Sequence, residues 1–163
     1  MNSNFKGNIK ESNLIIPDSD GIDHLLTCTI LEFEDKIIIH LAMDGKTDLS
    51  YDVQIPSLED LKRPQKFYDY EDGEIPSNDV NEEPHLSCNI SPTLLIGAGN
   101  SLKTQVLASQ IGHVMSQYTT KNILLNMSGM MFGRPSESEQ YHPNDSTVVK
   151  QAIHVIVDAY TGE

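Results

Sequence analysis

The sequence predicts an α+β fold, in which an antiparallel sheet meander is covered by two amphipathic helices from the C-terminal half. Three observations lead to this fold class. Strand-like apolar patterns fill the first third of the chain, a two-residue turn signal separates two of them, and both helix-like patterns come late. Strands followed by helices are typical of an α+β layer rather than of a doubly wound parallel sheet.

The N-terminal half predicts three strands. Residues 25–33 and 36–43 are rich in β-branched and apolar side chains, and the turn sequence Glu34-Asp35 separates them. Asp44-Gly45 follows, and this dipeptide is a strong signal for a two-residue hairpin turn. Residues 49–55 then alternate apolar and polar side chains with a period of two, which indicates a half-buried antiparallel strand. Three strands joined by tight turns make a meander.

Two segments of the single predicted domain, residues 1–163, are expected to be disordered. Residues 1–20 are rich in Asn and Ser and contain one candidate edge strand at Leu14-Ile15-Ile16. The second segment is an acidic insertion at about residues 57–90, and its central part, residues 68–84, contains seven acidic residues and no basic one. Such a composition buries too little apolar surface to offset the entropy lost on ordering. The insertion is either a solvated loop without a role or a tether for a partner.

The C-terminal half predicts a strand, a helix, a second strand and a final helix. Residues 93–96 form the first strand, and a glycine turn at Gly97 leads into a helix that Asn100 or Ser101 caps. Residues 122–127 form the second strand, and Asn144 caps the final helix. The stripe predicted for the first helix consists of Leu102, Val106, Leu107, Ile111, Val114, Met115 and Tyr118.

Two apolar features of this half predict a partner-binding surface. The final helix has two apolar rows, and since one sheet face covers about one stripe, this helix is buried on two sides or meets a partner. The loop before it opens with two methionines, which suit adaptable binding surfaces. Ordinary core packing is the alternative interpretation. The rows are Val149, Ile153, Ile156 and Tyr160, and Val148, Ala152, Val155 and Ala159. The predicted partner-binding residues are Met130, Met131, Phe132, Val148, Ala152 and Val155.

Composition limits the classes of function. The net charge of −13, from 24 acidic and 11 basic residues, argues against binding to nucleic acid or to an anionic membrane, because both require Lys and Arg. No apolar run reaches the roughly 18 residues of a transmembrane helix, and the polar N-terminus shows no secretory signal. The protein is expected to be cytoplasmic, with the nucleus as a second compartment. Cys28 and Cys88 are expected to be reduced thiols, with a disulfide or a metal as the alternative.

The residue patterns predict neither an enzyme nor a cofactor or metal site. The run from Gly97 to Thr104 follows a strand and opens a helix as a phosphate-binding loop does, with Lys103 and Thr104 at the positions of the nucleotide lysine and the magnesium hydroxyl. Leu102 stands where that motif requires glycine, so nucleotide binding through the Gly97 loop is only a third hypothesis for function. The six histidines show no ligand spacing on one helix.

Several segments together resemble a known family. They are the run Pro92 to Gly97, the helix through Ala108 and Tyr118, the strand from Asn122, the terminal helix 148–160, and the meander around Phe33 to Ile37 and Asp44-Gly45-Lys46. Their sequence and order are similar to those of the small proteasome assembly chaperones of the third and fourth types, and closer to the fourth. The acidic insertion departs from the compact members, although fungal members vary in their loops.

The resemblance implies a non-enzymatic chaperone. Such a protein forms a heterodimer with a like-folded partner, and the pair binds an α subunit of the 20S proteasome to promote α-ring assembly. No motif-level binding residues are carried over, and the chaperone type and the α subunit stay open. The alternative hypothesis is a small longin-like adaptor or scaffold domain of trafficking machinery.

Overall fold

The computed structural model describes residues 8–17, 22–56, 90–97, 101–133 and 142–162. Within them the chain forms the α+β arrangement that the sequence predicts, with six strands and two helices. The strands are β1 (Asn8–Pro17), β2 (Asp23–Glu32), β3 (Lys36–Met43), β4 (Leu49–Val53), β5 (Thr93–Ile96) and β6 (Asn122–Met127). The helices are α1 (Leu102–Met115) and α2 (Asp145–Thr161), and a 3₁₀ turn spans Gly129–Phe132.

The six strands form one open, mostly antiparallel sheet in the order β1-β2-β3-β6-β4-β5. The structure differs from the predicted meander at one connection, because β6 lies between β3 and β4, parallel to the first and antiparallel to the second. The turn that joins β3 to β4 is present, and Asp44 and Gly45 have the positive φ angles of 51° and 74° that a type I′ turn requires. Beyond it only Met43 and Lys46 pair, as an isolated bridge.

Strand β1 is longer than the sequence suggested. All ten of its residues pair with β2, from Asn8 opposite Glu32 to Pro17 opposite Asp23. The predicted edge strand at Leu14-Ile15-Ile16 is therefore confirmed, and the prediction of disorder is wrong for residues 8–13 and 17, which extend that strand. The rest of the predicted N-terminal segment lies outside the described residues. The acidic insertion also lies outside them, except that Ile90 is buried.

Both helices pack on one face of the sheet, and the core lies between them and that face. Strand residues alternate accordingly, and the inward-facing positions are almost fully buried. Helix α2 packs on β1 and β2 and also against α1 and the 3₁₀ turn, so it is buried on two sides. The inward-facing strand residues include Leu26, Cys28, Ile30, Ile37, Ile39, Leu41, Leu49, Tyr51, Val53, Ile123, Leu125 and Met127.

Helix α1 approaches β4 closely because its buried side includes Thr104, Ala108 and Gly112, small residues at every fourth position. A Cβ atom added to Gly112 would lie 2.6 Å from Val53 Cγ1. The predicted apolar stripe is correct for its central residues Leu107, Ile111 and Met115, which are buried. It is wrong at its edges, where Leu102, Val106 and Tyr118 are exposed.

Candidate partner-binding surface

Five of the six predicted partner-binding residues lie in the core or pack against it. Met131, Phe132, Ala152 and Val155 are buried, and the partly buried Val148 packs against the core. Met130 is exposed by 45%. All eight residues of the two apolar rows of α2 lie in the core or pack against it, four of them only partly buried. Contact of these six residues with a partner stays a prediction, and Met130 is the one whose side chain is available for it.

Met130 is presented by a short, well-anchored turn. The Asp48 carboxylate accepts a hydrogen bond from the Gly129 backbone N–H at 2.5 Å, and the Ser128 hydroxyl oxygen accepts one from the Met130 N–H at 3.3 Å. Ser128 itself is buried, and it follows directly after β6. The first bond ties the turn to Asp48, just before β4, and the second ties it to Ser128, at the end of β6, so the position of Met130 is set by the sheet.

The two residues that matched a phosphate-binding motif are both engaged inside the protein. Lys103 Nζ lies 3.0 Å from an Asp145 carboxylate oxygen, and this pair joins the first turns of α1 and α2 with both side chains under 20% exposed. The Thr104 hydroxyl donates to the Ser101 carbonyl at 2.9 Å and contacts the Tyr51 hydroxyl at 2.8 Å. Ser101 occupies the predicted cap position of α1, but its side chain makes no capping hydrogen bond. Residues 98–100 lie outside the described residues.

The face of the sheet opposite the helices carries no helix among the described residues, and we call it the open face. Strand register assigns its side chains to rows that run across the sheet. The first row is apolar over four neighbouring strands and consists of Ile9, Leu31, Ile38 and Leu124, followed by Asp52 on β4. The second row is polar and consists of Glu11, Thr29, His40, Asn126 and Ser50. The Ser50 hydroxyl donates to the Asn126 side-chain carbonyl at 2.5 Å.

Apolar side chains of the open face remain accessible. Ile9 is exposed by 64%, and Ile15 and Leu25, which pair with each other across β1 and β2, are exposed as well. Leu31, Ile38 and Leu124 are half-buried. The central strands β3 and β6 thus carry apolar residues on both faces, a pattern typical of strands that are covered on both sides. The open face is therefore the strongest candidate for a partner-binding surface.

The described residues contain no group of three or more His, Cys, Asp or Glu residues that could hold a metal ion. Cys28 is a free thiol in the core, and burial raises its pKa to about 12. Cys88 lies outside the described residues, so its proximity to Cys28 stays untested. None of the described helices is long and apolar enough to cross a membrane.

Fold and surface together define an α+β protein with a helix-covered core and an open sheet face suited to contact with another protein. The sequence matches the family of 20S proteasome chaperone assembly proteins 3 and 4 over residues 3–156. The chain therefore belongs to this proteasome assembly chaperone family, which confirms the resemblance found in the sequence.

A solved structure, described as a novel chaperone complex for yeast 20S proteasome assembly, matches this chain with a TM-score of 0.63 at 17% sequence identity. The match covers 94% of this chain and 98% of the other. At this identity the likeness shows the fold. The search of curated proteins found no significant match.

Proposed function

We propose that the protein is a non-enzymatic assembly chaperone that pairs with a like-folded partner through its open face and binds a 20S proteasome α subunit to promote α-ring assembly. The single observation that carries the pairing is the open face, with its apolar row across four strands. Family membership supports the proteasome as the client. The solved relative is a chaperone complex, which supports a chaperone as the partner.

The open face has the form that sheet-on-sheet packing requires. Two sheets that pack face to face lie about 10 Å apart and interdigitate their inner side chains. Ile38 and Leu124 lie side by side on the two central strands, and Leu31 extends the same row onto β2. Burying such side chains is worth about 25 cal/mol per Å² of apolar area before association costs, so this row would form the centre of the contact.

Ile38→Asp tests the pairing. The side chain is half-buried on the open face, so an aspartate there would meet water in the free chain and an apolar sheet in the complex. We expect the variant to fold normally, as judged by circular dichroism, and to lose the co-expressed like-folded chaperone in size-exclusion chromatography with light scattering. Leu102→Asp is the matched control, because Leu102 is 72% exposed on α1, away from the open face. Retention of the partner by the Ile38→Asp chain would refute pairing through the open face.

Affinity capture followed by mass spectrometry tests the client. Proteasome α subunits are the expected co-purifying proteins, whereas small GTPases or coat subunits would favour a trafficking adaptor. We propose Met130 as a contact with the α subunit, because it is exposed on the anchored 3₁₀ turn. Met130→Asp should then reduce the yield of α subunits and retain the like-folded partner. A fluorescent fusion should place the protein in the cytoplasm and the nucleus.

A further inference from the structure

We propose that the carboxylates of Glu11 and Asp52 select the partner of the open face, by favouring a facing sheet that carries lysine or arginine and by disfavouring a second copy of this chain. The inference rests on the proposed pairing through the open face. It adds the chemistry of the partner and a reason for pairing with a different chain.

The two carboxylates lie at opposite ends of the two rows. Glu11 begins the polar row on the edge strand β1, and Asp52 follows the apolar row on β4. The sheet order places four strand-to-strand steps between β1 and β4. With about 4.8 Å per step, the two strands are roughly 19 Å apart. This exceeds the Debye length of about 8 Å at physiological ionic strength, so each carboxylate requires its own nearby cation.

The described strands supply no free lysine or arginine on the open face for these groups. Among their residues, Lys36 is the one lysine or arginine whose register places it on this face, and its Nζ lies 3.6 Å from the Asp35 carboxylate. The other basic side chain on this face is His40, in the polar row. Lys10 belongs to the other face, where it donates to the Tyr160 carbonyl. Within the described residues Glu11 has no ion pair, and Asp52 accepts only a hydrogen bond from the Gln54 amide at 3.3 Å.

A pair of identical chains would repeat this imbalance. Each copy has a net charge of −13 and brings the same carboxylates to the contact. Carboxylates that lose water without gaining a cation oppose association, and like charges across an interface reject the wrong partner. A facing sheet with lysine or arginine opposite Glu11 and Asp52 removes both penalties. The apolar row therefore supplies affinity, while the carboxylates at the ends of the two rows supply selectivity.

A charge swap tests the proposal. The double variant Glu11→Lys/Asp52→Lys should bind the like-folded chaperone at least tenfold more weakly than the wild type, as measured by titration at physiological salt. When the variant is mixed with the wild-type chain, one variant chain and one wild-type chain should form a dimer, and the affinity of this dimer should fall as salt is added. Neither the variant nor the wild type should dimerise by itself. Glu34→Lys is the matched control: it reverses a charge in an exposed turn outside the strands and should change neither result.

The variant Glu11→Gln/Asp52→Asn keeps the side-chain sizes and tests the same idea without reversing charge. We expect it to bind the chaperone with a smaller loss and a reduced dependence on salt. If both double variants bind the chaperone as the wild type does, while Ile38→Asp abolishes binding, the selectivity proposal is wrong and the pairing surface stands. If Ile38→Asp also leaves binding intact, the pairing surface itself is wrong. A wild-type chain that dimerises alone through the open face would likewise overturn the selectivity proposal.

Discussion

Thr104→Val should destabilise the protein more than Tyr51→Phe, although both remove the same core hydrogen bond. The two hydroxyls lie 2.8 Å apart, and both residues are essentially inaccessible to water. The Thr104 hydroxyl has a single proton, which it donates to the Ser101 carbonyl at 2.9 Å. The Tyr51 hydroxyl is therefore the donor to Thr104. The two substitutions consequently leave different groups behind.

The expected magnitudes follow from what each substitution leaves unpaired. Thr104→Val buries the Tyr51 hydroxyl without an acceptor, which costs about 1–3 kcal/mol. The Ser101 carbonyl still accepts from the Gln105 backbone N–H at 3.2 Å, so it adds little. Tyr51→Phe leaves Thr104 bonded to Ser101 and should cost about 0.5–1.5 kcal/mol. For a chain of 163 residues, each 1 kcal/mol lowers Tm by about 2–4 °C.

Urea unfolding of both single variants and the double variant measures the difference. The double variant should lose less free energy of unfolding than the sum of the single variants, because it leaves no orphaned hydroxyl. Neighbouring groups typically deviate from additivity by about 0.5–3 kcal/mol. Additive effects, or a greater loss for Tyr51→Phe than for Thr104→Val, would refute the assigned direction of the hydrogen bond.

Three further outcomes are expected. Hydrogen bonds from His24 and from the Leu25 backbone N–H lower the pKa of Asp44 below its ordinary value of 3.8. The Asp44 carboxylate therefore stabilises the fold at pH values above 3.8, and this stabilisation is lost as the pH falls through the folded-state pKa. Urea unfolding should show Asp44→Asn to be less stable than the wild type near neutral pH, with the gap closing in acid. In a single-cysteine variant, Cys28 should react with a thiol reagent slowly when folded and quickly in urea, because its pKa is about 12 in the fold. Gly112→Ala should lower the stability by about 1–3 kcal/mol despite the higher helix propensity of alanine, because the new methyl group would overlap Val53; an unchanged urea midpoint would contradict this.

Local features of the fold were predictable from the sequence, whereas the order of the strands was not. The Asp44-Gly45 turn has the predicted geometry because glycine and aspartate tolerate positive φ. Whether the strands on either side of that turn then pair depends on a competing strand about 80 residues further along, β6. No local propensity encodes that competition. The length of β1 has a similar origin, because its polar residues are held by pairing with β2 and by the contact of Lys10 with the end of α2.

For the candidate partner-binding residues, too, the local apolar pattern was predictable from the sequence, whereas the packing of distant segments was not. Because a single sheet face covers about one stripe, the two apolar rows on α2 predict a surplus of apolar surface for a partner. Helix α1 and the 3₁₀ turn also contact α2, so the second row is covered within the chain. The excess of apolar residues lies instead on the sheet, where Ile37-Ile38-Ile39 and Ile123-Leu124-Leu125 are apolar on both faces.

The signal that could have found the open face is the loss of alternation in those two runs. A strand covered on one face only alternates apolar and polar residues, as Leu49 to Val53 does, whereas a strand covered on both faces has no reason to alternate. Only the inward-facing residues of each run meet the helices, which leaves Ile38 and Leu124 without a covering layer among the described residues. Because these two residues are neighbours across β3 and β6, a single charged substitution at either should disturb the same contact. Leu124→Asp should therefore reproduce the loss of the partner expected for Ile38→Asp. If only one of the two variants loses the partner, the contact is restricted to the strand that carries that residue, β3 or β6.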